Sequence, residues 1–347
     1  MSNHSNVINH FFIKIKYYYI IHYYYLSNSL YVISKLGVAD HILDRSVDYR
    51  ELASIVNVNP SKLYRIIRYL SSEGYFILSD DGKVKLTFSG QYLRSDRPDS
   101  MRYCFINWNE EVLQSMHYMI SEVKNEGEAF ELAFGKDIFS LYEERPESAE
   151  AFTKCMKGLF STVNSAAASE YDYSQHHTLL DLGGGMGSAT AAILKLHDKH
   201  TLSNSKLSKA IVFDLPEVVK HGDQYHEILQ YQGGSFFNIT SIPRGADVIL
   251  INLVLHDWND DECITILKNA ASVLESKGTI IVTDSAVPKS NHPLFNIITQ
   301  MDVLMMTISS GDFRTYDEYR SIFSRANLTL KESRPTRSLV TLFILEK

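Results

Sequence analysis

The chain has 347 residues, a formal net charge of −7 at pH 7 and 45% hydrophobic residues. A chain of this length can form two domains with a large core, and its acidic charge gives no electrostatic reason to expect nucleic acid or an anionic membrane as a partner. The three cysteines, Cys104, Cys155 and Cys263, lie far apart in the sequence, so we predict no disulfide framework and a reducing, cytoplasmic environment.

Residues 11–26, FFIKIKYYYIIHYYYL, are the segment that most resembles a membrane helix. The run is shorter than the roughly 20 residues that a spanning helix needs, and Lys14, Lys16 and His22 interrupt it. We therefore expect a helix whose aromatic face packs against another element or a second subunit, with membrane association as the alternative.

Residues 48–93 predict a winged helix. Amphipathic helices are expected at 50–56 and 61–73, and strands at 75–78 and 83–88 on either side of a tight turn. Winged helices often bind DNA, but this chain is acidic, so a scaffold role is favoured over DNA binding.

Residues 101–170 read as mostly helical, with main helices at 110–126 and 147–171. From residue 178 onward, strands alternate with helices, which is typical of a doubly wound α/β domain with a mainly parallel sheet. The predicted strands are 179–182, 210–215, 247–255, 279–287, 328–335 and 338–346, and the predicted helices between them are 190–197, 216–230 and 260–275.

The stretch 179–187, LLDLGGGMG, predicts a strand followed by a glycine turn and a helix. A dinucleotide fingerprint would need glycine or alanine where Ser188 stands. The spacing is instead G-x-G-x-G from Gly183, with Asp181 two residues earlier, which is the pattern of S-adenosylmethionine (SAM) methyltransferases. Asp214 ends the next strand and is placed to accept hydrogen bonds from ribose hydroxyls.

His256 lies between a predicted strand and the following helix, which Asp257 or Asn259 can cap. Asp284 ends the next strand at the same edge of the sheet. A carboxylate beside an imidazole can orient it and stabilise its charged form. A metal site formed by His256, Asp257 and Asp284 is the competing interpretation, but no further close-spaced ligand supports it, and we predict no metal.

The motifs, taken in order, resemble those of the cation-independent SAM-dependent O-methyltransferases of the plant caffeate/flavonoid and hydroxyindole type. They are LLDLGGGMG, IVFDLPEVV, GGSFFN, SIPRGADVILINLVLHDW, GTIIVTDSAVP and GDFRTYDEY. The resemblance covers nearly the whole chain. It implies a Rossmann-like methyltransferase domain at 171–347, a helical connection at 101–170 that contributes to the acceptor pocket, and a winged-helix dimerisation domain at 1–100 that forms a homodimer.

The resemblance also implies roles for individual residues. His256 would be the general base that takes the proton of the acceptor hydroxyl, and Asp284 would brace it. The residues implied for SAM binding are Asp181, Gly183, Gly185, Asp214, Leu215, Ser235, Phe236 and Asn252. Those in regions that line the acceptor pocket are Phe152, Met156 and Met305.

Three positions depart from the family pattern. Ser235 replaces an adenine-binding acid, Asn252 replaces a lysine or arginine, and Phe313 replaces a second bracing acid. We expect an enzyme that moves a methyl group from SAM to a hydroxyl, most simply a phenolic one, of a small aromatic or polyketide metabolite. The alternatives are a catalytically weak SAM-binding or winged-helix regulatory protein on the same fold, and an NAD-linked oxidoreductase.

Overall fold

The computed structural model describes residues 2–197, 202–220, 222 and 226–347. The chain forms two compact units, Met1–Leu113 with Glu150–Leu159 and Gln114–Ala149 with Phe160–Lys347. This division differs from the one drawn from the sequence, because the predicted connection 101–170 contributes residues to both units.

The first unit packs helices around a small antiparallel sheet with strand order β1-β3-β2. Its elements are α1 (Ser2–Leu36), α2 (Val38–Ile42), β1 (Val47–Asp48), α3 (Tyr49–Ile55), α4 (Pro60–Ser72), β2 (Phe76–Leu78), β3 (Lys83–Leu86), α5 (Phe88–Gln91) and α6 (Arg102–Asn107). Helices α3 and α4 followed by the β2–β3 hairpin confirm the predicted winged-helix elements.

The aromatic stretch of α1 is exposed on the first unit. Tyr17 is 65% exposed, Ile21 66% and Tyr24 53%. These side chains therefore do not pack against another element of their own unit, and the expected second subunit remains a prediction. No helix in the part of the chain that the structure describes is long and apolar enough to cross a membrane.

The second unit is built on a seven-stranded sheet with strand order β6-β5-β4-β7-β8-β10-β9. Its strands are β4 (Thr178–Leu182), β5 (Lys209–Asp214), β6 (Leu229–Gly233), β7 (Ala246–Asn252), β8 (Leu274–Asp284), β9 (Thr329–Pro335) and β10 (Thr341–Glu346). Strands β4 to β8 are parallel, and β10 runs antiparallel to both of its neighbours. Because β4 lies between β5 and β7, the strand order reverses there, and ligands of such sheets bind beyond the carboxyl ends at that point.

The second unit also contains helices. They are α7 (Leu113–Met116), α8 (Met119–Val123), α9 (Ala129–Phe134), α10 (Ile138–Glu144), α11 (Pro146–Ala168), α12 (Ser188–His197), α13 (Pro216–Val219), α14 (Asp260–Val273), α15 (Phe295–Ile308) and α16 (Tyr316–Arg325), of which α7 begins in the first unit and α11 has residues in both. Of these helices, α12, α14 and α16 pack against the sheet. On β4, Leu180 and Leu182 pack on one face of the sheet and Leu179 on the other, as the two-residue period of a strand requires.

Several predicted elements differ from the observed ones. In place of the single helix predicted at 110–126, the chain forms a π-helical turn (Trp108–Val112) followed by the short helices α7 and α8. The stretch contains no glycine or proline that would indicate these breaks. The predicted helix 216–230 ends at Val219, with residues 221 and 223–225 outside the described ones, and the polar edge strand β6 follows it. The predicted strand 247–255 ends at Asn252, because Leu253 has φ +56° and turns the chain.

The prediction that the chain has no disulfide is wrong. Cys104 on α6 and Cys155 on α11 form a disulfide within the first unit, with their Cα atoms 4.5 Å apart. The two residues are separated by 51 positions, so only the packing of the two helices brings them together. Cys263 is buried and free.

Candidate active site

Strand β4 ends in a turn in which three glycines adopt left-handed backbone conformations. The φ angle is +79° at Gly183, +58° at Gly185 and +82° at Gly187. A Cβ at Gly183 would lie 2.7 Å from a methyl carbon of Val254, so this position requires glycine. A Cβ at Gly185 would meet none of the described atoms within 4 Å, apart from its chain neighbours. The backbone at Gly185 is therefore open to close approach by a ligand.

Asp181 is fully buried and lies directly against the glycine turn. Its Oδ2 accepts a hydrogen bond of 2.6 Å from the hydroxyl of Thr190, and its carboxylate would collide with a side chain at Gly184. Among the described residues, its Oδ1 has no hydrogen-bond partner. Burial raises the pKa of Asp181 to about 7. An unsatisfied buried carboxylate oxygen is rare and suits a polar ligand group at the turn.

Asp214 joins the end of β5 to the same turn. Its Oδ2 accepts a hydrogen bond of 2.7 Å from the backbone N–H of Gly185, and its Oδ1 accepts one of 2.7 Å from Leu215. Burial raises the pKa of Asp214, while these two hydrogen bonds oppose that shift. Each carboxylate oxygen can accept one further hydrogen bond, for example from a hydroxyl.

An aromatic cluster borders the turn on one side. The ring of Phe236 lies 3.5 Å from the position of a Cβ on Gly183 and packs edge-on against Trp258, with ring centroids 5.7 Å apart. The hydroxyl oxygen of the neighbouring Ser235 accepts a hydrogen bond of 3.3 Å from the backbone N–H of Phe237. Phe236 is thus near the glycines, and the hydroxyl of Ser235 is hydrogen-bonded within its own loop.

Asn252 ends β7, the strand beside β4, and its amide is already engaged. Its oxygen accepts a 2.5 Å hydrogen bond from the hydroxyl of Thr283, and its nitrogen donates one of 3.2 Å to the side chain of Asn164. The structure therefore ties this predicted SAM-binding residue to two protein side chains.

His256 lies in a 3-10 turn, Leu255–Asp257, that follows β7. Its Nδ1 is 2.8 Å from Oδ1 of Asp284, and its backbone N–H donates a hydrogen bond of 3.2 Å to Oδ2 of the same carboxylate. Strands β7 and β8 are parallel neighbours, with Asn252 paired to Thr283, which places the two residues at one edge of the sheet. The predicted contact between His256 and Asp284 is thus present.

Two carboxylates set the charge of the buried imidazole. Burial alone would lower the pKa of His256, but Asp284 and Asp257 outweigh that effect and raise it to about 9. Asp257 faces the other ring nitrogen, with its Oδ1 3.6 Å from Nε2. Burial raises the pKa of Asp257 to about 6, although the positive charge of His256 acts to lower it. The two carboxylates therefore favour the charged form of the imidazole.

An apolar wall covers one face of the imidazole. The ring of Phe313 stacks on that of His256, with centroids 4.8 Å apart and an interplanar angle of 20°. Phe313 is buried in a cluster with Ile298 and Met305, two residues of α15. Met305, which was predicted to line the acceptor pocket, thus belongs to the same cluster as the ring that stacks on the imidazole.

Phe152 and Met156, the other two predicted acceptor residues, lie on the part of α11 that belongs to the first unit, and both are half-buried there. Their role stays a prediction. Within the described residues, no group of three or more His, Cys, Asp and Glu side chains is arranged to hold a metal ion.

The sequence interpretation missed Arg314, which is only 2% exposed. Its guanidinium donates hydrogen bonds to the backbone carbonyls of Leu255 and Trp258, on either side of His256. The motif GDFRTYDEY contains this residue, but an arginine that binds backbone carbonyls leaves no pattern that a sequence alone would reveal. The helix that follows the turn is capped by Asn259, whose side chain forms a reciprocal capping box with Glu262.

Comparison with known proteins agrees with this geometry. A model of the O-methyltransferase domain matches residues 114–329, and a model of the O-methyltransferase dimerisation domain matches residues 18–93. The chain belongs to the O-methyltransferase family. It is an S-adenosylmethionine-dependent O-methyltransferase with an N-terminal dimerisation domain.

Similar enzymes come from bacteria and plants. The phenazine O-methyltransferase PhzM of Lysobacter antibioticus is 30% identical over 320 residues, which cover 89% of each chain. The (RS)-norcoclaurine 6-O-methyltransferase of Thalictrum flavum subsp. glaucum is 29% identical over 84% of this chain and 88% of that enzyme.

Solved structures share the fold. The crystal structure of LaPhzM has a TM-score of 0.90 at 28% identity and covers 96% of this chain and 99% of its own. Human N-acetylserotonin methyltransferase in complex with SAM has a TM-score of 0.84 at 20% identity and covers 100% of this chain and 98% of its own, which shows the fold alone.

The charge state of His256 in the O-methyltransferase can be measured directly. In protein with ¹³C-labelled histidines, we expect the His256 resonance to titrate with a pKa of about 9, because two carboxylates stabilise the imidazolium. Asp284→Asn removes one of these charges and should lower the pKa. The His256→Ala spectrum assigns the resonance.

The exposed Asp317 provides the control for this titration. Asp317→Asn removes a carboxylate of the same unit that has no part in the shift, so it should leave the pKa of His256 unchanged. An unshifted wild-type histidine, or an equal effect of both variants, would contradict the electrostatic account.

Proposed function

We propose that the chain transfers the methyl group of SAM to a phenolic hydroxyl of a small aromatic or polyketide metabolite, with His256 as the general base. The observation that carries this proposal is the buried pair of His256 and Asp284 at the sheet edge, where the open glycine turn also lies. Relatives named for phenazine and norcoclaurine, both ring compounds, support an aromatic acceptor. The apolar side chains of Ile298 and Met305 on α15, in the cluster next to the imidazole, suit such a flat, apolar ring.

The residues of the glycine turn fit SAM. Gly185 offers an open backbone, Asp214 offers carboxylate oxygens for the ribose hydroxyls, and Phe236 offers an aromatic side for adenine. The unpaired Oδ1 of Asp181 suits the amino group at the methionine end. Leu215 lies next to Asp214 and is half-buried, which supports a contact with the adenine.

SAM, when bound, supplies an electrophilic methyl group on a sulfonium. Asp284 accepts the Nδ1–H of His256 and so leaves Nε2 as the proton acceptor, a tautomer assigned from the hydrogen bond. The neutral imidazole then takes the hydroxyl proton of the acceptor at Nε2, and Asp284 stabilises the resulting imidazolium. A phenol has a pKa of about 10, close to that of His256, so the transfer is nearly balanced in free energy.

We also infer a homodimer formed through the N-terminal domain. The match to a dimerisation domain and the exposed aromatic stretch of α1 support it, because an apolar patch of this kind favours a protein partner. The cytoplasmic location stays a prediction.

A second candidate is a SAM-binding protein with little catalytic activity. The hydroxyl of Ser235 accepts a hydrogen bond within its own loop. The side-chain amide of Asn252 is hydrogen-bonded to Asn164 and Thr283. Both observations favour weak binding of SAM. The intact pair of His256 and Asp284 favours the enzyme.

The base assignment is tested by His256→Ala. We expect the variant to bind SAM as the wild type does in calorimetry, but to methylate a panel of phenols, naphthols and hydroxyphenazines about 10²–10⁴-fold more slowly, the usual contribution of a general base. His117→Ala, which removes an exposed histidine of the same unit, should retain full activity. Unchanged turnover in His256→Ala would overturn the assignment.

The SAM site is tested by Gly183→Ala. The added Cβ would collide with Val254, so the turn must shift, and we expect the affinity for SAM to fall at least tenfold. Gly135→Ala is the matched control, since Gly135 also has a positive φ of +76° but no described atom within 4 Å of the added Cβ. Equal SAM affinity of the two variants would show that the turn does not bind SAM.

A further inference from the structure

The segment from Gly311 to Arg314 lies directly against the turn that carries His256. At Gly311 the two backbones approach so closely that a Cβ would collide with the carbonyl oxygen of His256, and it would lie 2.7 Å from the backbone nitrogen of Trp258. Only glycine allows this approach. The segment and the catalytic turn are therefore packed backbone to backbone.

Arg314 holds the turn from both sides. Its Nη1 donates a hydrogen bond of 3.0 Å to the carbonyl of Leu255, and its Nη2 donates one of 2.8 Å to the carbonyl of Trp258. These two carbonyls bracket His256 and Asp257. A planar guanidinium can bridge two such acceptors with fixed geometry, whereas the single ammonium group of a lysine cannot.

The guanidinium is in turn held by carboxylates. Its Nε donates a hydrogen bond of 2.9 Å to Asp260 at the start of α14, and its Nη2 lies 3.2 Å from a carboxylate oxygen of Asp312. A buried arginine is costly unless its charge is paired and its donors are satisfied. Both conditions are met here, so Arg314 is fixed in one orientation.

Phe313 fixes the plane of the imidazole. Its ring stacks on that of His256, while Asp284 binds the edge of the same imidazole at Nδ1. The backbone N–H of Phe313 donates a hydrogen bond of 2.9 Å to Asp302 on α15, the helix that also carries Met305. The stacked ring is therefore anchored to the apolar wall beside the imidazole.

We propose that Gly311–Arg314 is a positioning clamp for His256, in which Arg314 fixes the backbone on both sides of the histidine and Phe313 fixes the plane of its ring. The inference rests on the proposed role of His256 as general base. The clamp keeps Nε2 aimed at the acceptor hydroxyl, and errors of about 1 Å in such an aim can cost about 10²-fold in rate. Phe313 and Arg314 act through His256, so both are positioning residues.

Arg325 provides a matched comparison within the same unit. It pairs with Asp260 and Asp261 and is half-exposed, and no hydrogen bond is observed between its described side chain and the catalytic turn. Arg325→Ala therefore removes an ion pair from Asp260, as a change at Arg314 does, but leaves the carbonyls of Leu255 and Trp258 alone.

The experiment compares substitutions at the two clamp positions. Arg314→Lys keeps the charge and loses the bridge, so we expect kcat to fall about 10–10²-fold with unchanged SAM affinity and acceptor KM. Phe313→Leu should lower kcat in the same way, and Phe313→Tyr, which retains the stacked ring, should restore it. Arg325→Ala should have the wild-type kcat.

The pH profile separates positioning from a general loss of stability. The charged groups that face the imidazole are Asp284 on β8, Asp257 on its own turn and Arg314, whose positive charge lowers the pKa of His256. Arg314→Gln removes that charge and should move the alkaline midpoint of kcat/KM upward. Phe313→Leu leaves every charge in place and should lower the rate at an unchanged midpoint.

Normal kcat in both Arg314→Lys and Phe313→Leu would overturn the clamp, and so would an equal loss in Arg325→Ala. If Arg314→Lys proves unstable in thermal unfolding, the pair Phe313→Leu and Phe313→Tyr decides. A wild-type protein that neither binds SAM nor methylates any acceptor would contradict the proposed function itself. Active wild type with unaffected variants would contradict the clamp alone.

Discussion

The contact between His256 and Asp284 is the interaction on which the site depends. One carboxylate binds both the ring and the backbone N–H of the histidine, so a single buried group fixes the turn and the tautomer together. The contact exists because β7 and β8 are adjacent and parallel, and because Leu253, with a positive φ, turns the chain at the sheet edge and donates its N–H to Thr283. The fold thereby positions the proposed base at the edge where the glycine turn opens.

The charges around this contact balance one another. Asp284 is a buried carboxylate and Asp257 a half-buried one, and the two face opposite nitrogens of the His256 imidazole. The buried guanidinium of Arg314 pairs with Asp260 and Asp312. Buried charges are tolerated only when they are paired and hydrogen-bonded. If one partner is removed, the desolvation cost of the other is no longer compensated. The same pairing raises the pKa of His256 toward that of a phenol, so stability and proposed chemistry rest on one arrangement.

Much of the fold and of the site could be predicted from the sequence, because the deciding patterns are local. The glycine turn, Asp214 and the pair of His256 and Asp284 follow from strand ends in a parallel sheet, which meet at one edge. Features made by tertiary contacts could not be predicted. The disulfide joins residues 51 positions apart, the polar edge strand β6 lacks apolar alternation, and Arg314 binds backbone carbonyls that any sequence supplies. The contacts of Asn252 with Asn164 and Thr283 likewise join residues far apart in the sequence, and the part of Ser235 and Asn252 in SAM binding stays a prediction.

The pH dependence of kcat/KM for methyl transfer, compared between the wild type and Asp284→Asn with one phenolic acceptor, tests the central claim most directly. The acceptor ionises identically in both assays, so a difference between the profiles reports the histidine. If His256 is the base, the wild-type rate rises with pH through a midpoint near 9, since only the neutral imidazole accepts a proton. In Asp284→Asn the midpoint should move to lower pH and the plateau should fall. Superimposable profiles would contradict His256 as the base held by Asp284.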